Sequence, residues 1–190
     1  ASDVYKRQLY NMVDAIIVGR TVGVNALAAV GMSGSIVFLI LGFLNGLTTG
    51  FTVLTSRTFG AGNMDGMKKS VYSSSVLAVV VTVILTVISV AGLKGLLHLM
   101  NTPDEIFQDA YQYLFVVFLG IWTQVLYNLL ASFLRALGNS RIPLYFLILA
   151  AVLNIFLDLF FILVMKMGTR GAAVATVISQ GVSGVLCLVY

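Results

Sequence analysis

"SVYSSSVLAVVVTVILTVISVAGL" occupies residues 70–93 and contains no charged side chain. At a rise of about 1.5 Å per residue, such a helix reaches across the ~30 Å hydrocarbon core of a bilayer. A barrel strand would instead alternate apolar and polar side chains over about ten residues, and this run does not. Residues 107–134, 142–165 and 171–190 meet the same length test, as does a window within 27–56. A sixth run, 9–22, is apolar but short of a full span. The expected fold is therefore all-α: a polytopic membrane protein with a six-transmembrane-helix bundle.

Composition supports that class. The 190 residues are 59% hydrophobic and 9% charged, where soluble domains carry roughly a quarter charged residues. Mean hydropathy is +1.03. The net charge of +4 does not argue for nucleic acid, because the basic residues sit at the ends of apolar runs, as membrane topology requires. Cys187 is the single cysteine and excludes a disulfide framework.

Both ends of the chain carry expectations. Lys6 and Arg7 stand where the first helix should continue upstream, so residues 1–8 read as a non-native leader, and residues 9–190 as the native bundle with its first helix truncated. The last run stops at Tyr190 without a basic flank, so the chain is expected to be a fragment. The connections "FGAGNMDGMKK" (59–69), "MNTPDE" (100–105), "LGNSRIP" (137–143) and "KMGTRG" (166–171) carry turn residues. One side of the membrane receives Lys6, Arg7, Arg57, Lys68, Lys69, Arg135 and Arg141. The other receives Arg20, Lys94, Lys166 and Arg170. The richer side should be cytoplasmic, and we call it inner. Asp104, Glu105, Asp109 and His98 then form a solvated outer surface, with no ligand spacing for a metal at His98.

Two aspartates break the apolar pattern. Asp14 lies in "YNMVDAIIVGR" (10–20) and Asp158 in "LNIFLDLFFILVMK" (153–166). Counting back from Arg20 and Lys166, they sit about 9 Å and 12 Å from the outer end. The last span runs inward and places Thr176 and Gln180 about 8 Å and 13 Å down. Asn154 is one turn below Asp158; Tyr10 and Asn11 lie just below Asp14 on one face. A carboxylate facing lipid costs several kcal/mol, so both should face protein or a water-filled cavity. Helix–helix hydrogen bonding is the plainer account. The functional one is a coupling-ion site, in which one acid holds a proton or a small cation sits between them. Asp14, Asn154, Asp158 and Thr176 offer the oxygen ligands a hard cation such as Na⁺ takes, with Tyr10 nearby. An internal echo points the same way. Asp14 precedes Gly23 and "ALAAVG"; Asp158 precedes Gly168 and "GAAVAT". Two hairpins of one design fit the internal symmetry of transporters.

Weaker signals surround this pair. Gly42, Gly46 and Gly50 recur every four residues and read as a packing stripe. Asn45, Thr49, Gln124, Asn128 and Gln180 are candidate substrate-cavity residues, and Trp122 and Tyr127 suit packing or an aromatic wall equally. Neither a Gly-x-Ser-x-Gly sequence nor a phosphate-loop spacing occurs, and no enzyme is expected.

At these residues the chain resembles the multidrug and toxic compound extrusion (MATE) transporters. "LYNMVDAIIVGR" with "ALAAVG" looks like the family's first helix and outer turn, and "GLTTGFTVLTSRTFGAGN" like its second helix. "FLRALGNSRIPL" resembles the turn between its fourth and fifth helices, and "LNIFLDLFFI" with "GAAVAT" its fifth and sixth. The resemblance implies one lobe, the N-terminal, of a twelve-helix antiporter driven by Na⁺ or H⁺, with no other cofactor. It implies export of drugs or organic cations across the plasma membrane, the other lobe and the bilayer being the partners. The family's cation site falls on Asp14, Tyr10, Asn154, Asp158 and Thr176. Two rivals are a flippase for lipid-linked precursors, which would need a strongly cationic cavity, and a non-transporting membrane scaffold.

Overall fold

The computed structural model describes residues 15–190, so Tyr10, Asn11 and Asp14 lie outside the described residues. Residues 15–21 are helical and pass through Gly23, at φ +124°, into α1 (Val24–Gly60). Then come α2 (Met64–Leu99), α3 (Asp104–Leu119), α4 (Ile121–Ala136), α5 (Arg141–Leu159) and α6 (Gly168–Val189). A π-helical turn, Phe160–Val164, extends α5. No strand occurs among the described residues.

Four of these segments are long and apolar enough to span a bilayer singly: α1, α2, α5 with its π turn, and α6. The run expected as one span over 107–134 is α3 and α4, which together are long and apolar enough to cross as one broken span, bent by 44° at Gly120. Gly120 also packs tightly against α6. A Cβ at Gly120 would stand 2.1 Å from Val177 Cγ2, so only glycine lets the chain lie this close to α6. The runs 27–56 and 70–93 lie within α1 and α2, which extend several residues past them, and 142–165 and 171–190 match α5 with its π turn and α6 to within a few residues; residues 9–14 of the first run lie outside the described residues.

The polarity of α2 is inverted relative to a soluble helix. Its buried face is Ser70, Ser74, Ala78 and Thr82, while Val79, Val80, Val83 and Val87 point outward. Small residues let helices approach closely, and large apolar side chains lose nothing by facing lipid tails. Thr55 and Ser70 hydroxyls bond at 3.1 Å and fasten α1 to α2 near the inner end. Large side chains fill the outer core, where Leu93 and Leu97 of α2 meet Leu114 and Phe118 of α3. At the inner end Tyr127, Ala131, Leu147 and Cys187 join α4, α5 and α6.

Turn chemistry sets the ends. Asn63 caps α2 by accepting from the Gly66 N–H at 2.8 Å. Asp104 and Glu105 follow Pro103 in the first turn of α3, where the helix dipole favours acids.

The expected glycine stripe is corrected. Among the described residues, a Cβ at Gly42, Gly46 or Gly50 would meet nothing within 4 Å. These glycines sit on a face of α1 that turns away from the rest of the bundle, beside exposed Leu39, Phe43, Val53 and Leu54. The close helix contacts fall instead at Gly120 and Gly184; a Cβ at Gly184 would stand 3.1 Å from Leu126 and 3.3 Å from the Tyr127 backbone nitrogen.

Candidate functional site

Asp158 is the last residue but one of α5 and is fully buried. Directly after it the backbone widens into the π turn, where the Met165 N–H reaches back five residues to Phe160 O at 3.1 Å. Single π turns are frequent at functional sites, because the extra residue re-aims the side chains around it. Gly171 makes room for the widening. A Cβ there would come within 3.2 Å of Phe161 Cβ and 3.1 Å of Met167 Cβ. The hairpin closes through Lys166 and Gly168, both with positive φ.

One turn inward of Asp158, Asn154 is 1% exposed, and its Nδ2 donates to Thr176 Oγ1 at 3.4 Å. Thr176 Oγ1 in turn donates to Ala172 O at 3.0 Å. The structure thus brings together Asn154, Asp158 and Thr176, on α5 and α6. Asp14 and Tyr10 lie outside the described residues. Burying a carboxyl and an amide at membrane depth is costly unless each finds a partner.

The two hairpins that echo each other in sequence pack together. Val18, Ala26, Ile162 and Ala172 form one buried cluster. Val18 and Ile162 stand four residues after the two aspartates, and Ala26 and Ala172 open the two small-residue helices. The turns meet as well, since a Cβ at Gly168 would lie 3.8 Å from Val22 Cγ1.

The other candidates are dispersed. Thr49 is exposed on α1 and donates to Asn45 O at 2.7 Å; Asn45 itself is half-buried. Gln124 is half-buried on α4, whereas Asn128 and Gln180 are buried inside the bundle. Trp122 is exposed, while Tyr127 is buried with its hydroxyl donating to Pro143 O at 3.0 Å, so the two share no wall. At the outer end the His98 ring lies 4.9 Å from that of Phe107, and Lys94 Nζ is 5.8 Å from the Tyr111 ring centre. Sequence reasoning missed Ser183, fully buried on the Gln180 face of α6, and the π turn. Spacing could have found Ser183, three residues after Gln180. No local sequence signal marks the π turn.

The MatE family model matches residues 7–160. The chain belongs to the MatE family. It is similar to a probable multidrug resistance protein, YpnP, of Bacillus subtilis, with 35% identity over 95% of this chain and 41% of that protein. Among solved structures it resembles an inward-facing multidrug resistance MATE family transporter, at 29% identity and TM-score 0.90, covering 95% of this chain and 41% of that one. An outward-facing multidrug resistance MATE family transporter gives TM-score 0.90 at 28% identity, covering 97% and 41%. The chain spans about 40% of the length of the relatives it matches. Family, helices and apolar surface together make it a multi-pass membrane protein of a transporter family rather than an enzyme.

Proposed function

We propose that this chain is the N-terminal lobe of an ion-coupled efflux antiporter that exports organic cations or drugs, with Na⁺ or H⁺ bound at Asp158 and Asp14 as the driving ion. The observation carrying this reading is the full burial of Asp158 next to the Asn154–Thr176 hydrogen bond, at membrane depth and beside a π turn. An acid at that depth faces protein or a water-filled cavity and marks an ion pathway more often than not. Asp14 enters from the sequence. It precedes Val18 by four residues, as Asp158 precedes Ile162, and Val18 and Ile162 share one buried cluster.

Coupling requires the ion to bind one conformation better than the other, because a ligand shifts an equilibrium only by its differential affinity. Asp14, Asp158, Asn154 and Thr176 supply the oxygens. Tyr10 stands one turn from Asp14 in the sequence. The exposed α1 face with Asn45, Thr49 and the open glycines Gly42, Gly46 and Gly50 supports a wall turned towards a second lobe and the substrate cavity.

The test is efflux of a fluorescent organic cation by the full-length protein in membrane vesicles. Asp158→Asn and Asp14→Asn are each expected to abolish ion-driven efflux while membrane insertion and thermal stability persist. Efflux at the normal rate in both variants would reject the reading and favour a scaffold.

A further inference from the structure

Three buried polar atoms on adjoining turns are left without a hydrogen-bond partner among the described residues: Asn154 Oδ1, Gln180 Oε1 and Ser183 Oγ. Their residues are 1%, 6% and 0% exposed. Gln180 and Ser183 follow Thr176 by four and seven residues, so the three share one face of α6. Asn154 is joined to that face by its bond to Thr176. Because α5 and α6 are antiparallel, Ala150 lies at the level of Gln180, four residues from the bonded pair on each helix. Ala150 is itself buried.

The chemistry of the three atoms specifies what is missing. Asn154 Oδ1 and Gln180 Oε1 are acceptors, and helical backbone N–H groups nearby are already engaged in the helix. Each of them needs a donor. Ser183 could have turned back to a carbonyl of its own helix, as Thr48 does to Leu44 O at 3.0 Å, but it does not. A water molecule donates twice and accepts once or twice, and buried waters occur where otherwise unsatisfied polar groups converge.

We infer that α5 and α6 hold an internal water site bounded by Asn154, Gln180 and Ser183, and that it forms the inner part of a proton path to Asp158. This deepens the proposed ion site and rests on it. Water donates to the two amide oxygens and accepts from the Ser183 hydroxyl. A proton leaving the Asp158 carboxyl for the inner side binds a water oxygen, and one of that water's own protons passes inward to the next oxygen. Each hop breaks one O–H bond and forms one, so each relay oxygen ends with as many protons as it began. The amides hold the water and give up no proton.

The experiment uses the full-length protein. Gln180→Met with Ser183→Ala removes an acceptor and a hydroxyl while keeping volume nearly constant, and Gln180→Asn retains an amide. A density map that resolves ordered waters elsewhere should show water within hydrogen-bond reach of Gln180 and Ser183 in the native protein and none in the double variant. Proton uptake into proteoliposomes under an imposed pH gradient, read with a pH dye, should fall about tenfold in the double variant and no more than about twofold in Gln180→Asn. A dry native site overturns the inference. So does uptake at the native rate in the double variant, or no uptake by the native protein. Asp158→Asn separates the two readings. It should leave the water in place while stopping coupled efflux; water retained with efflux intact would remove the ion site and the path to it.

Discussion

Thr176 accepts from the Asn154 amide and donates to Ala172 O through one hydroxyl, so a single oxygen orients the amide next to Asp158. The accepting bond, at 3.4 Å, is long and individually weak, but its loss would strand a buried N–H donor. Leaving such a group unsatisfied costs about 1–3 kcal/mol, more than the net value of the bond itself. Thr176→Val should therefore lower stability of the detergent-solubilised full-length protein by about that amount. Thr176→Ser, which keeps the oxygen, should change it little. Under the proposed function the Val variant should also bind the coupling ion about tenfold more weakly, a loss of ~1.4 kcal/mol. Thermal unfolding and ion titration separate the two effects, and Val and Ser variants of equal stability would contradict the role given to the hydroxyl.

Gly120, at the bend between α3 and α4, leaves no room for a methyl group. A Cβ at Gly120 would overlap the Val177 side chain at 2.1 Å, far inside contact distance. Overpacking typically costs about 1–3 kcal/mol, and Gly120→Ala should destabilise within that range. Val177→Ala in the same protein should restore much of the loss, since it removes the colliding methyl groups; a double variant no more stable than Gly120→Ala would place the strain elsewhere. Gly46→Ala makes the opposite case. Among the described residues its Cβ meets nothing within 4 Å, and alanine is favoured over glycine in a helix by roughly 1 kcal/mol, so thermal stability should hold or rise. This contrast shows which elements were legible. The spans could be read from run length because a bilayer demands about twenty apolar residues whatever their neighbours. Asp158, Asn154 and Thr176 could be aligned by counting residues, because helix rise is fixed. The roles of Gly42, Gly46 and Gly50 could not, since four-residue spacing names a face without saying what stands opposite. Gly120 and the π turn were equally hidden, because both are settled by partners on another helix or after a loop, at Val177 and Gly171.

The same six-helix arrangement matches transporters described as inward-facing and outward-facing with TM-score 0.90 in each case. Under the proposed function, a fit to both states this close favours motion between lobes, with little change of fold inside one. Rocking of one repeat against another around a central site is the general pattern of such transporters. Alternation of that kind needs two walls, and this chain spans about 40% of the length of its relatives. Under the proposed function, the exposed side of α1, with Leu39, Phe43 and the open glycines, is one such wall. Residues 1–190 reconstituted alone in liposomes should therefore be helical and membrane-inserted but unable to couple an ion gradient to flux. Efflux of a fluorescent organic cation under imposed Na⁺ and pH gradients should equal that of empty liposomes, whereas the full-length protein should exceed it at least tenfold. Gradient-driven flux from the 190 residues alone would mean that one lobe holds both gates, and the two-wall account of alternation would have to be abandoned.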